Sequence, residues 1–201
     1  MKPYIDTYSG RKINLLHPDP DDILIEDIAH ALSLICRWGG HIRRHYSVGA
    51  HSILVAAEVK PTGAKLPALL HDATEAYIQD IVSPLKRQDD MDMYRVIEDR
   101  FNRTVMKKFG ALEAWDFYEA EIHRADKVML ERERAAFKPH KYLTYSGPAF
   151  PAWTMNPREV YDTFLCNFNA YSNTDLFPME HAVAKYRPGD DRDERVHAQA
   201  A

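Results

Sequence analysis

Cysteine is scarce in this chain. There are two in 201 residues, Cys36 and Cys166, each inside an apolar, helix-like stretch. Two such thiols do not make the disulfide framework of a small secreted domain, and the expectation is a reduced intracellular protein with both thiols buried. Excess positive charge is missing too. Lys and Arg number 26 against 30 Asp and Glu, a formal net charge of −4 with the signs interspersed. That balance disfavours a duplex-binding protein, so no nucleic-acid polymer is expected as a partner. No apolar run approaches the ~20 residues that a membrane helix requires. The opening MKPYIDTYSG carries neither a basic segment followed by an apolar one nor a cleavage site, so the expected location is cytoplasmic, without a membrane partner. Internal repeats and strand–helix alternation are absent as well.

What remains is a hydrophobic fraction of 45%, enough for one buried core, arranged almost entirely at helical spacing. YSGRKINLL suggests a short strand or hairpin before HPDPDD. DILIEDIAHALSLICRW (22–38) reads as a helix, with acids in its first turn and Gly39-Gly40 ending it. SVGAHSILVAAEV (47–59) follows with Ser47 as N-cap. AKLPALLHDATEAY (64–77) tolerates Pro67 only near its start. IQDIVSPLKR is a loop or broken helix, and 92–109 and 113–137 are two longer amphipathic helices. The proline-rich segment 139–157 reads as a loop. NPREVYDTFLCNFNAYS (156–172) closes the series with Asn156 and Pro157 at cap and first-turn positions. The expected fold is all-α, a single helical domain over 1–186 with a short N-terminal strand or hairpin, followed by a disordered charged tail at 187–201.

The chemistry centres on ALLHDATEAY (68–77), where His71 and Asp72 are adjacent. With 10 His and 18 Asp in 201 residues, chance supplies about 0.9 such pairs, so the dipeptide alone carries almost no information. Its company carries more. His51 sits within the apolar SVGAHSILVA helix, and Asp126 interrupts a helix whose neighbours Ala125, Val128, Met129 and Leu130 favour burial. An imidazole or carboxylate on a packing face is expensive unless it is paired or metal-bound. A metal also needs ligands from several segments, because neighbours on one helix diverge by about 100°. Taken singly, each residue reads better as a hydrogen-bonded core histidine or a carboxylate paired with a nearby Arg than as a metal ligand.

The order His51, then His71-Asp72, then Asp126 resembles the signature of the HD-domain metal-dependent phosphohydrolases. The surrounding RW (37–38), AHS (50–52), HDATE (71–75), QDIVSPLK (79–86) and ADK (125–127) resemble the small 5'-deoxynucleotidase-like branch of that superfamily. YSGRKINLLHPDPDDILIEDIAHALS looks like the leader of bacterial and phage members, which include dATP triphosphohydrolases. One departure is Ala50, where an acidic or amide residue often precedes the first ligand.

The resemblance implies an HD-domain bundle in which His51, His71, Asp72 and Asp126 bind one divalent metal ion, with Co²⁺, Mn²⁺, Zn²⁺, Fe²⁺ or Mg²⁺ as candidates. Glu75 would position or deprotonate the attacking water. Arg37 would reach the phosphate, Trp38 the nucleoside, and Asp80 the sugar, with Lys86 adding positive charge. His123, one turn before Asp126, would reach the edge of the site. The implied activity is nucleotide hydrolysis at the α-phosphorus, chiefly of deoxynucleoside 5'-phosphates, in a homo-oligomer. The alternatives are a dNTP triphosphohydrolase and a non-catalytic nucleotide-binding regulatory module.

Overall fold

A computed structural model of the chain describes residues 3–137 and 150–173. The expected tail at 187–201 and the proline-rich segment as far as residue 149 lie outside the described residues. Among those described, the fold is all-α: eight α-helices, short 3₁₀ turns and one two-stranded hairpin. Strand β1 (Tyr4–Asp6) pairs antiparallel with β2 (Lys12–Asn14), setting Ile5 opposite a fully buried Ile13. The hairpin loop is pinned to α1 (Ile25–Leu34). Thr7 Oγ1, Ser9 N–H and Ser9 Oγ–H each donate to the buried Asp27 carboxylate at 2.7 Å.

Helix α2 (Val48–Glu58) runs through the centre, buried from Val48 to Ala56. Ser47 caps it, its side chain accepting from Ala50 N–H at 3.1 Å. Around it pack α1, α3 (Lys65–Leu69), α7 (Leu112–Phe137) and α8 (Pro157–Ser172). Close approach requires Gly49, because a Cβ there would lie 2.8 Å from Val160 Cγ1 and 3.2 Å from the Leu32 carbonyl. Asn156 and Glu159 form a reciprocal capping box at the start of α8. Helices α4 (Glu75–Ile78), α5 (Ser83–Lys86) and α6 (Asp92–Lys108) complete the set.

Three expectations are corrected. The helix expected over 22–38 ends at Leu34, because Ile35 to Arg37 extend alongside Tyr46 to Val48. Arg37 N–H donates to Tyr46 O at 2.9 Å, Val48 N–H to Ile35 O at 3.0 Å, and Cys36 bridges Ser47. The helix expected over 64–77 breaks after Leu69 and resumes as α4, with 70–74 forming turns. Neither thiol is buried: Cys36 is half-buried and Cys166 exposed. On α8, Cys166 follows the buried Phe164 by two positions, which turns it about 200° from the core-facing side.

Candidate metal centre

The two breaks in helical periodicity build the site. At the turn after α3, the Ala68 carbonyl, which an unbroken helix would pair with the N–H of residue 72, instead accepts from His71 Nδ1–H at 2.8 Å. A carbonyl only accepts, so Nδ1 carries the proton and the neutral ring presents a bare Nε2. The turn also defeats the divergence of neighbouring side chains, since His71 Nε2 and Asp72 Oδ2 come within 3.2 Å of one another.

His51, wholly buried in the first turns of α2, repeats the pattern. Its Nδ1–H donates to Glu133 Oε1 at 2.6 Å. Its Nε2 lies 3.1 Å from Asp126 Oδ1 and 3.7 Å from Asp72 Oδ2. Both Nε2 atoms are buried without a hydrogen bond. Ligand atoms from His51, His71 and Asp72 all fall within 4.8 Å of one another. Electron-rich atoms so gathered repel unless a cation or shared proton lies among them, and two imidazole nitrogens with a carboxylate oxygen suit a borderline divalent metal. This trio can hold a metal ion. Asp126 touches the cluster through His51, and its side chain is 37% exposed.

Electrostatics follow from this crowding. Burial opposes charge on His71, but the adjoining Asp72 carboxylate outweighs it and pushes the imidazole up to about 9. Desolvation opposes charge on the half-buried Asp72 too, yet His71, His51 and Arg37 hold it well below the usual carboxylate range. Glu75 opens α4 and is nearly buried. Desolvation, reinforced by Asp72 and Asp80, pushes its carboxyl up to about 9. Asp126 and Glu133 are both depressed despite burial, Asp126 chiefly by His51 and His71, and Glu133 chiefly by His51 and Arg37.

The remaining expected residues divide into two groups. Arg37 belongs to the cluster: Nε donates to Glu133 Oε2 at 3.0 Å, and Nη1 lies 3.5 Å from Asp72 Oδ2. Trp38 lies beside it in the left-handed region (φ 60°, ψ 22°), with the Arg134 guanidinium 5.7 Å from its ring. Asp80 and Lys86 form a separate group, with Lys86 Nζ 3.2 Å from Asp80 and 2.7 Å from Glu98 on α6. The Lys86 ammonium is thus already matched by two carboxylates. Between the groups, Gln79 adopts φ 60°, ψ 165°, where side chains are rarely found, while its carbonyl accepts from Tyr94 OH at 2.7 Å. Trp38 and Gln79 are the non-glycine residues with positive φ among those described. Such strain tends to gather at functional sites. His123 is exposed and packs edge-on against Trp115 at 5.8 Å.

Sequence reasoning passed over Glu133 and Tyr46. Glu133 is fully buried, and its carboxylate accepts from His51, Arg37 and Tyr46, the last at 2.8 Å. A signal was present. On α7 the buried stripe runs Ile122, Ala125, Met129, Glu133, Phe137, so a glutamate occupies an apolar helical register two turns after Asp126.

Fold and cluster together define an all-α protein with a partly buried His–His–Asp site able to hold a metal ion. No family model matches the sequence. The chain is 34% identical over 176 residues to the uncharacterized protein YfdR of Escherichia coli (strain K12), a match covering 84% of this chain and 96% of that protein. It is 41% identical over 110 residues to an uncharacterized protein of Rhodobacter capsulatus, covering 51% of this chain and 56% of that protein. The chain belongs to the YfdR family.

Proposed function

We propose that this chain is an HD-type, metal-dependent phosphohydrolase acting on nucleotides, principally deoxynucleoside 5'-phosphates. One observation carries the reading: two buried Nε2 atoms without hydrogen bonds and Asp72 Oδ2 gather within 4.8 Å of one another, with the buried carboxyl of Glu75 one turn further along the chain. Asp126, its Oδ1 3.1 Å from His51 Nε2, is the fourth ligand in this reading. A divalent cation held there would supply Lewis acidity toward a phosphate oxygen and acidify a water beside it.

The chain's own groups supply the rest. Arg37 is charged and rigidly held on Glu133, at the edge of the cluster, where a phosphate oxygen would meet its fork. Without a cation, Glu75 keeps its proton because it is buried beside two carboxylates. Positive charge at Asp72 weakens that field and frees Glu75 to accept a proton from the attacking water. Water oxygen then bonds to phosphorus, the bond to the 5' oxygen breaks, and the leaving oxygen takes up a proton. Asp80, half exposed and paired with Lys86, would read the sugar in this reading.

The test is a product-resolved release assay over dAMP, AMP, dGMP, dTMP and the four dNTPs, with Co²⁺, Mn²⁺, Mg²⁺ or EDTA. Inorganic phosphate from monophosphates is expected, with deoxyribose preferred. Intact triphosphate from a dNTP would replace this reading with a triphosphohydrolase. No metal-dependent product from folded, metal-loaded protein would refute hydrolysis and leave a nucleotide-binding module.

A further inference from the structure

The buried carboxylate of Glu133 takes no direct part in the reaction outlined above beyond holding Arg37, yet it accepts three side-chain hydrogen bonds beside the cluster. Oε1 accepts His51 Nδ1–H at 2.6 Å and the Tyr46 hydroxyl at 2.8 Å, while Oε2 accepts Arg37 Nε–H at 3.0 Å. Its donors come from α2 and from both sides of the connection between α1 and α2, so one carboxylate on α7 ties three separate stretches of chain together. We infer that Glu133 is a positioning residue for the metal centre: by holding the Nδ1 proton of His51 it fixes the ring's rotation and leaves Nε2 as the bare, cluster-facing nitrogen.

A purely structural carboxylate would be satisfied by Arg37 and Tyr46 alone. The shortest of the contacts instead goes to the one atom of His51 whose protonation dictates what Nε2 can do. With Nδ1–H committed to Glu133, the neutral ring offers a lone pair at Nε2, and that nitrogen is buried with no hydrogen bond of its own. A carboxylate behind the imidazole also raises its donor strength, as in other carboxylate–histidine–metal arrangements. An amide cannot replace it. Of its two heads only the oxygen accepts, so a glutamine meets either His51 Nδ1–H or Arg37 Nε–H with an NH₂ group. If the NH₂ faces His51, the ring is driven to the tautomer with hydrogen on Nε2, the nitrogen needed for the metal. Arg37 supplies the positive charge that makes a carboxylate tolerable at this depth.

The inference rests on metal binding and not on the identity of any substrate. Co²⁺ affinity by chelator competition and the visible spectrum of the Co²⁺ protein are compared for wild type, Glu133→Gln and Tyr46→Phe. Glu133→Gln, folded by circular dichroism, is expected to bind Co²⁺ about 10- to 100-fold more weakly with an altered spectrum. Tyr46→Phe keeps the contact to His51 and should retain both affinity and spectrum. Wild-type affinity and spectrum in Glu133→Gln would overturn the inference, as would equal losses in both variants. Should Glu133→Gln not fold, ¹⁵N-histidine correlation spectra of the Zn²⁺-loaded wild type decide. A protonated, slowly exchanging Nδ1 on His51 is expected, and a bare Nδ1 refutes the inference. If the wild type binds Co²⁺ but hydrolyses no nucleotide, the proposed function fails while this comparison still stands or falls by itself.

Discussion

Two carboxyl groups three residues apart take opposite parts. Asp72 is held ionised by two imidazoles and Arg37, whereas Glu75, one turn on, is held protonated by burial and by Asp72 itself. Under the proposed function, that contrast separates metal binding by Asp72 from proton transfer by Glu75. Asp72→Ala removes the only carboxylate oxygen within the three-residue cluster, and bound metal and turnover should both disappear, as measured by metal analysis of the dialysed protein. Glu75→Gln preserves size and leaves the cluster intact. It should keep the metal and lower turnover by about 10²- to 10⁴-fold, the usual worth of a placed proton acceptor. Equal turnover with full metal content would remove Glu75 from the mechanism.

Among the elements, α2 carries His51 into the core and tolerates little displacement. Gly49 lies two residues before His51, where an added methyl would press on Val160 and the Leu32 backbone. Gly49→Ala gains about 1 kcal/mol of helix propensity, but forcing α1 or α8 away costs typically 1–3 kcal/mol. The Leu32 contact is backbone, so relief there requires α1 or α2 to move. The net expectation is a loss of stability in urea unfolding together with weaker metal binding. A stabilised variant with unaltered affinity would show that the contact relaxes without moving α2.

The elements also show what the sequence makes legible. Helices set by long apolar stripes and local caps, such as α2 with Ser47 and α8 with Asn156, match their expected bounds because those signals act within a few residues. The break at 70–74 and the extended stretch at 35–37 escape such reasoning. Each follows from partners distant in sequence or from a turn that apolar spacing does not encode: Tyr46 O for Arg37, and Ala68 O for the His71 ring. The site is assembled at these irregular places. His71 and Asp72 were legible as chemistry, whereas their convergence depends on the turn. Glu133 was visible as an acid in an apolar register, but its three donors meet it only across 82 to 96 residues of chain.

For the molecule as a whole, these charges link stability to both pH and metal. Glu75 is raised from 4.5 to about 9 and His71 from 6.5 to about 9 in the metal-free protein. Both groups therefore bind their protons more tightly when folded than when unfolded. Their contribution is complete at low pH, begins to fall above 4.5 for Glu75 and above 6.5 for His71, and is lost as pH rises through 9. Metal-free protein should consequently unfold at lower temperature at pH 9 than at pH 6, and Glu75→Gln should flatten that slope. A divalent cation replaces the lost protons among the same carboxylates and imidazoles, so its stabilising effect should grow over the same interval. At a free metal concentration of about 100 times Kd the gain is about 2.7 kcal/mol. For a chain of this size that corresponds to a rise in Tm of roughly 5–10 °C. Thermal unfolding with metal and with EDTA at pH 6, 7.5 and 9 measures it, and Asp72→Ala should show no rise at any pH. A metal effect that shrinks from pH 6 to pH 9 would mean that the cation binds away from His71 and Glu75.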